Sequence, residues 1–177
     1  MMKLNAKTAA NLGLLTAVSI VLTRVFGVMV PIAGVGALRL SFGEIPIMLA
    51  GVLFGPAAGA LTGVAADLIG YMINSHGGPY FPGFTFTAAL VGLIPAMLLH
   101  RKRENLIAVQ VAGAVLVTDL LTGVLLNTLW VSIMYGQGFF VLLPMRVLAR
   151  LVTLPVYTVV VFWANRAYQV HLSSSTT

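Results

Sequence analysis

The sequence contains no cysteine, and this absence excludes several chemistries at once. Without thiols the chain has no disulfide framework, no thiol chemistry and no cysteine ligands for an iron–sulfur cluster. The three histidines form no ligand cluster, and neither an H-E-x-x-H nor a G-x-S-x-G pattern occurs. The sequence therefore predicts no metal ion and no cofactor, and the chain is not expected to be an enzyme.

Charged side chains are also scarce, at 8% of the 177 residues, whereas an ordinary soluble domain has about one quarter. Apolar residues make up 59% of the chain, and the mean hydropathy is +1.02. Several apolar runs reach the roughly 20 residues that cross a bilayer core of about 30 Å. Because a water-soluble fold of this size cannot bury so much apolar surface, we expect a membrane protein.

The few charged residues give a net charge of +6, and a positive net charge can indicate nucleic-acid binding. The basic residues are dispersed at the ends of apolar runs and form no stripe with exposed aromatic residues, so nucleic acid is not an expected partner. No G-x-x-x-x-G-K-[ST] loop occurs, and the chain therefore has no evident means of hydrolysing ATP. The internal duplication that marks many secondary transporters is not evident either.

The apolar runs and their Pro- and Gly-rich breaks predict an all-α membrane protein with six transmembrane helices in a single domain, residues 1–177. Pro31 ends the first run before a Gly-rich turn over 32–37, and a loop over 74–83 precedes the fourth run. The fifth run has a length of about 45 Å and must tilt, bend or project from the lipid. The predicted helices are 6–30, 42–54, 56–73, 84–99, 105–134 and 141–168.

The distribution of lysine and arginine predicts the orientation, because these residues favour short cytoplasmic loops. If the six helices cross the membrane in alternating directions, one side of the membrane carries Lys3, Lys7, Arg101, Lys102, Arg103 and Arg166. Both termini are then predicted to be cytoplasmic, and the Ser/Thr tail after Tyr168 is predicted to be disordered. The loops that fall on the outside are those around Arg39, His76 and Gln137.

Five ionisable residues interrupt the apolar runs, where a charge usually faces the bundle interior, pairs, or binds something. The helical rise concentrates them in the outer half of the bundle. A pair between Asp119 and Arg150 is the default interpretation, and it leaves Arg146 unmatched. Arg24 either snorkels to the outer interface or helps Arg146 hold an anion. The five residues are Arg24, Asp67, Asp119, Arg146 and Arg150.

Asp67 lies alone in the third run, and two interpretations are open. It either pairs with an arginine or accepts two hydrogen bonds from a ligand edge that carries adjacent N–H donors. Aromatic residues on the same outer side of the bundle either stack on a flat heterocycle or belong to the aromatic belt of the membrane interface. These aromatic residues are Tyr71, Tyr80, Phe81, Phe84, Trp130 and Tyr135.

Other polar residues near the predicted outer loops have simpler default interpretations. A local ion pair is expected between Arg39 and Glu44, which are close in sequence. Asn74 and Asn127 are polar groups near the predicted cavity, and His76, in a Gly-rich loop, is by default a solvated side chain.

Small residues recur at intervals of four in two helices and permit close approach of another backbone. In the first helix they are Ala9, Gly13 and Ala17, which serve either intramolecular packing or the docking of a separate protein. In the third helix they are Gly59 and Gly63, where intramolecular packing is the default interpretation.

Three segments carry a resemblance to a known family: RLSFGEIP at 39–46, GPAAGALTGVAADLIG at 55–70 and PGFTFT at 82–87. The chain resembles the substrate-binding S components of energy-coupling factor (ECF) vitamin transporters, and among them it is most similar to the folate-specific family. The resemblance implies a multi-pass protein of the bacterial cell membrane that binds a vitamin near its extracellular side. It also implies partners, namely a transmembrane T component and two ABC ATPases.

The resemblance further implies roles for individual residues. The small-residue face of helix 1 touches the T component in this family, which corresponds here to Ala9, Gly13 and Ala17, although Gly13 departs from the usual alanines. In the folate interpretation Asp67 accepts hydrogen bonds from the pterin edge, and Arg24 and Arg146 bind the glutamate carboxylates. Other vitamins, such as pantothenate or riboflavin, and an autonomous small secondary transporter are the alternatives. The candidate substrate-binding residues are Arg24, Asp67, Tyr71, Asn74, Phe84, Asn127, Trp130 and Arg146.

Overall fold

Six helices and a β-hairpin form the part of the chain that the structure, a computed structural model, describes: residues 5–32, 35–75 and 78–174, without the side chains of 29–40 and 171–174. A 3-10 segment, His100–Asn105, follows the fourth helix. The elements in chain order are α1 Ala6–Arg24, β1 Val28–Ile32, β2 Val35–Leu40, α2 Glu44–Phe54, α3 Pro56–Ile73, α4 Pro82–Leu99, α5 Ala108–Tyr135 and α6 Phe139–Ser174.

The predicted six-helix architecture is confirmed, with one qualification of length. Five of the helical segments in the described residues are long and apolar enough to cross a membrane. The sixth, α2, has 11 residues and rises only about 17 Å, which is about half of a bilayer core. Every residue of α2 from Ile45 to Leu53 is buried, so protein rather than lipid surrounds it. The longer helices therefore span the membrane, and α2 forms the centre of a multi-pass bundle.

Polar contacts fix the depth of α2 in the bundle. Near its start, the Ser19 hydroxyl on α1 donates to the Gly43 carbonyl at 2.7 Å. At its end, the Arg103 guanidinium donates to the Leu53 carbonyl at 2.9 Å. We call the end of the bundle at which α1, α3 and α5 finish the Asn74 end, and the opposite one the Arg103 end. Since α2 reaches the Arg103 end and is short, its first residue, Glu44, lies well inside the bundle.

Glycines allow the backbones of α2, α3 and α4 to touch. A Cβ atom on Gly59 would lie 2.6 Å from the Cα of Gly51 and 2.4 Å from the carbonyl oxygen of Gly92. A Cβ atom on Gly63 would lie 2.0 Å from the carbonyl oxygen of Ala88. The prediction that Gly59 and Gly63 serve intramolecular packing is therefore confirmed.

The predicted end of the first helix is wrong. The helix ends at Arg24 instead of residue 30, and β1 pairs antiparallel with β2, with Val28 opposite Leu40. Pro31 disfavours helical geometry in the residue before it, and the β-branched residues Val28 and Val30 suit a strand. The predicted Gly-rich turn over 32–37 is correspondingly too long, because strand residues reach Ile32 and resume at Val35.

The last two helices also depart from the prediction. The fifth helix begins at Ala108, three residues later than predicted, and contains a π-helical segment, Leu120–Leu126. A π segment widens a helix locally and often marks a functional position. The sixth helix runs from Phe139 to Ser174, beyond the predicted end at Tyr168, so the first part of the expected disordered tail is helical. Residues 175–177 lie outside the described part of the chain.

Candidate functional site

Arg24, the last residue of α1, and Asp67 on α3 form an ion pair near the Asn74 end. The guanidinium Nη2 lies 3.5 Å from the Asp67 Oδ1, and the two side chains are 5% and 19% exposed. Arg24 Nη1 also donates to the Asn74 carbonyl at 2.8 Å. The snorkelling interpretation of Arg24 is therefore wrong, because its charge is buried between α1 and α3. Of the two interpretations of Asp67, pairing with an arginine is confirmed.

The second oxygen of Asp67 connects it to two further polar side chains. Thr85, in the first turn of α4, donates its hydroxyl to Asp67 Oδ2 at 2.7 Å. The Thr85 oxygen lies 2.8 Å from the Tyr80 hydroxyl. The ring of Tyr80 packs edge-on against that of Tyr71 at 5.3 Å, and Tyr71 donates to the Gly78 carbonyl at 3.2 Å. Asp67 is thus held from two sides, with two aromatic rings beside it.

A second charge cluster joins α2, α5 and α6. Arg150 donates from Nη1 and Nη2 to the two carboxylate oxygens of Glu44, each at 3.1 Å. Its Nη1 also donates to Asp119 Oδ1 at 3.3 Å, so the predicted Asp119–Arg150 pair is confirmed. Asp119 is 1% exposed, and its Oδ2 has no hydrogen-bond partner within the described residues. Two carboxylates therefore share one guanidinium, with a formal charge of −1.

Arg146 lies one helical turn before Arg150 on α6 and is 5% exposed. Its Nη1 donates to the Gly123 carbonyl in the π segment, at the long distance of 3.4 Å. Four residues further along α5, the buried Oδ1 atom of Asn127 has no hydrogen-bond partner in the described structure. The π segment of α5 therefore lies against the Arg146 guanidinium, and the Asn127 amide oxygen comes directly after the segment in the sequence.

Aromatic residues form a wall at the start of α4. The Trp130 indole donates to the Thr87 hydroxyl at 2.9 Å, which ties α5 to α4. The ring of Phe81 lies 5.7 Å from Trp130 and 5.9 Å from Phe84. Phe84 in turn packs against buried Leu142 on α6 and buried Val131 on α5. These three rings, Phe81, Phe84 and Trp130, are half-buried and therefore present part of their surface for further contacts.

The structure thus sorts the eight candidate binding residues into groups. The first group, Arg24, Asp67, Asn74 and Tyr71, is joined by direct contacts or through Thr85 and Tyr80. Phe84 and Trp130 are joined through Phe81. Arg146 and Asn127 lie on α6 and α5 near the π segment. That these residues bind substrate stays a prediction.

Two of the contacts were not predicted. One is the Glu44–Arg150 pair; the Arg39 side chain lies outside the described residues, so the expected Arg39–Glu44 pair stays a prediction. The other is the bond from Thr85 to Asp67; Thr85 was not singled out, although it lies within the PGFTFT segment that carried the family resemblance. His76 lies outside the described part of the chain.

The small-residue stripe of α1 differs from that of α3. Ala9, Gly13 and Ala17 are all exposed, and a Cβ atom on Gly13 would meet nothing within 4 Å. Within α1 the buried residues are Ser19 and Arg24, and no residue from Ala6 to Val18 is buried. The stripe is therefore open to lipid or to another protein.

Comparison with known proteins identifies the family. Residues 3–169 match the family model for the S component of ECF-type riboflavin transporters. The folate transporter FolT of Clostridium novyi (strain NT) is 30% identical over 145 residues, which is 82% of this chain and 80% of that protein. The riboflavin transporter RibU of Staphylococcus aureus (strain TCH60) is 29% identical over 61% of this chain and 51% of that protein.

A solved structure agrees with the sequence matches. The crystal structure of FolT bound with folic acid superposes with a TM-score of 0.79 at 30% identity, and the match covers 90% of this chain and 93% of that one. Family model, relative and structure agree on a transport component that is not an enzyme. The chain therefore belongs to the family of S components of ECF-type transporters, as its resemblance predicted.

Proposed function

We propose that this S component captures folate at the Asn74 end, which faces the outside of the cell. The observation that carries the proposal is the similarity to folate-bound FolT over 90% of the chain. The Asp67 carboxylate adds a physical reason, since it lies at the Asn74 end beside two tyrosine rings. A carboxylate complements the adjacent N–H donors on the edge of a pterin, and the rings offer a face for stacking.

The contacts of Arg24 change its proposed role. Pterin and glutamate are at opposite ends of folate, separated by the p-aminobenzoyl group. Because Arg24 lies 3.5 Å from Asp67, it does not also reach the glutamate of a folate whose pterin is at Asp67. We therefore assign Arg24 to the pterin end, where it orients and charge-balances Asp67.

Arg146 remains the proposed ligand for a glutamate carboxylate. It is 5% exposed within an apolar helix, and ionisable residues inside membrane-spanning helices usually serve function. Asn127 supplies an amide oxygen near the same π segment. Trp130, Phe84 and the other aromatic residues at the start of α4 would line the space between the two ends of the ligand.

Riboflavin is the second candidate, because the matching family model is named for riboflavin transporters. Riboflavin has no carboxylate and therefore offers no anionic group to Arg146. Calorimetric titration of the purified protein with folic acid, riboflavin and pantothenate distinguishes the candidates. The proposal expects folic acid to bind at least about 100-fold more tightly than the others, a difference of roughly 2.7 kcal/mol. Tighter binding of riboflavin or pantothenate would refute the folate assignment and leave the family assignment intact.

The transport step requires partners in this proposal. A T component and two ABC ATPases supply ATP hydrolysis, and the exposed Ala9, Gly13 and Ala17 stripe on α1 is the docking face for the T component. Reconstitution in liposomes distinguishes an S component that needs these partners from an autonomous secondary transporter. Liposomes that contain this chain alone are expected to take up no folate. Uptake without the ATPases would contradict the proposed coupling.

A further inference from the structure

A cleft with a volume of about 560 Å³ opens at the Arg103 end, on the opposite side of the bundle from the proposed folate site. Its walls are the end of the 3-10 segment, the start of α5 and the last turns of α6. Asn165 and Gln169 of α6 lie one helical turn apart in it, and Glu104 and Arg166 are exposed at its rim.

The floor of the cleft holds two polar atoms without partners. Asn165 is 3% exposed, and its Nδ2 donates to the Arg103 carbonyl at 2.8 Å. Its Oδ1 is buried and accepts no hydrogen bond from the described residues. The Nε2 of Gln169 is likewise buried and donates to none of them. A buried polar group of this kind usually has a partner, so the cleft offers one acceptor and one donor to an incoming molecule.

The rim of the cleft carries one charge of each sign. Glu104 makes no ion pair within the described residues, and Arg166 stacks over the Trp163 ring with its Cζ 5.6 Å from the ring centroid. The sum of these two charges is zero, which matches a zwitterion better than a simple anion. A matching ligand carries a cation with N–H donors for Asn165 and Glu104, and an anion that accepts from Gln169 and Arg166.

The surroundings of the cleft are typical of the headgroup region of a membrane leaflet. Trp163 is 59% exposed, and tryptophan is enriched at membrane–water interfaces. Ile107 and Val170, both in the lining, are 57% and 62% exposed and offer an apolar surface for acyl chains. We infer that the cleft binds the headgroup of an ethanolamine phospholipid, with the ammonium toward Asn165 and Glu104 and the phosphate toward Gln169 and Arg166.

Native mass spectrometry of the full-length protein tests the inference. The protein is extracted from vesicles of equal phosphatidylethanolamine and phosphatidylcholine with identical acyl chains, and the retained lipid is measured. Choline has no N–H donor, so wild type is expected to retain the ethanolamine lipid about fivefold or more in excess, the effect of one or two charge-assisted hydrogen bonds. Equal retention of the two lipids would mean that the cleft does not distinguish the headgroups by their N–H donors and would overturn the inference.

Variants locate the site. Glu104→Met removes the carboxylate assigned to the ammonium and is expected to lower the retention ratio towards one, whereas Gln169→Met and Arg166→Gln, on the phosphate side, are expected to reduce the retention of both lipids. Lys102→Gln removes one charge from the same 3-10 segment outside the lining and is expected to leave the ratio unchanged. These variants keep Asn165, whose bond to Arg103 makes it a poor probe of binding alone. A ratio that falls equally in Lys102→Gln would refute the site.

A soluble compound distinguishes the two sources of this headgroup. Free phosphoethanolamine carries the same ammonium and phosphate but no acyl chains. If the lipid is the ligand, millimolar phosphoethanolamine leaves the retained lipid in place. Displacement of the lipid by phosphoethanolamine would assign the cleft to a soluble phosphate ester and overturn the lipid assignment.

Discussion

Arg150 and Glu44, 106 residues apart in the sequence, form a two-bond ion pair in which each guanidinium Nη donates to one carboxylate oxygen at 3.1 Å. The pair joins the start of the short central helix α2 to α6, and Asp119 brings α5 to the same guanidinium at 3.3 Å. Three helices are thus connected through one side chain that is 13% exposed. Arg150 is therefore expected to stabilise the fold rather than to bind substrate directly.

Removal of this guanidinium is expected to destabilise the bundle strongly. Arg150→Met keeps much of the side-chain volume but leaves two carboxylates, Glu44 and Asp119, without their shared cation. Breaking a buried ion pair from one side costs about 3–5 kcal/mol. The midpoint of thermal unfolding in detergent should fall clearly. Arg101→Met, on the exposed 3-10 segment, is the control for loss of charge and should leave the midpoint in place.

Gly123 in the π segment allows Arg150 to occupy its position. A Cβ atom at residue 123 would lie 2.5 Å from both Nε and Nη2 of Arg150. Gly123→Ala should therefore displace the guanidinium and destabilise the protein by about 1–3 kcal/mol, although alanine is the better helix former. The matched control is Gly113→Ala on the same helix, where a Cβ atom meets nothing within 4 Å. Equal unfolding midpoints for the two variants would contradict the contact.

Thr85 is expected to act on the ligand through Asp67. Thr85→Val keeps the shape but removes the donor 2.7 Å from Asp67 Oδ2, so the carboxylate is held from one side only. Loss of one such hydrogen bond corresponds to about 1 kcal/mol, or roughly a fivefold rise in the folic acid Kd by calorimetry. Thr158→Val, which removes a bond to the Leu154 carbonyl far along α6, should leave the Kd unchanged. An unchanged Kd in Thr85→Val would exclude this positioning role.

Replacement of Arg146 is expected to have the largest effect on the affinity for folic acid. Arg146→Ala removes the cation assigned to a glutamate carboxylate, and truncation of one partner of a buried charge pair costs about 2–5 kcal/mol. The Kd for folic acid should then rise at least about 30-fold, while pterin, which carries no carboxylate, should bind wild type and variant alike. An equal loss for both compounds would indicate a structural role of Arg146 instead.

The exposed stripe on α1 predicts a variant that separates capture from transport. A Cβ atom at residue 13 would meet no described atom within 4 Å and the position is exposed, so Gly13→Leu should preserve folding and folic acid binding. If the stripe docks a T component, a bulky side chain there should abolish copurification with that subunit and folate uptake by the assembled transporter. Gly113→Leu adds the same bulk to an equally open position on α5 and should have no effect. Normal uptake with Gly13→Leu would rule out this docking face.

Much of the architecture follows from local sequence signals. Gly55 and Pro56 separate two helices, because the glycine adopts a positive φ of 105° and the proline suits the first turn. The β-hairpin was missed because a short apolar run with β-branched residues has no periodicity that distinguishes a strand from a helix end. The burial of α2 was also not predicted, since an apolar helix looks alike whether lipid or protein surrounds it.

The residue types of the candidate site could be predicted from the sequence better than the contacts between these residues. A charged residue within an apolar run indicates a buried position, which Arg24, Arg146 and Asp119 occupy. Depth estimates from helical rise were sufficient for Asp119 and Arg150. The partner of Glu44 was not predicted, because the depth of α2 depends on its short length and its contacts with α1 and the 3-10 segment.

The structure of the complex with folic acid tests the central claim most directly. The account predicts folic acid at the Asn74 end, with the N–H edge of the pterin within about 3 Å of the Asp67 carboxylate and the glutamate toward Arg146. Folic acid in the reverse orientation, with its glutamate beside Arg24 and Asp67, or bound elsewhere on the bundle, would contradict it.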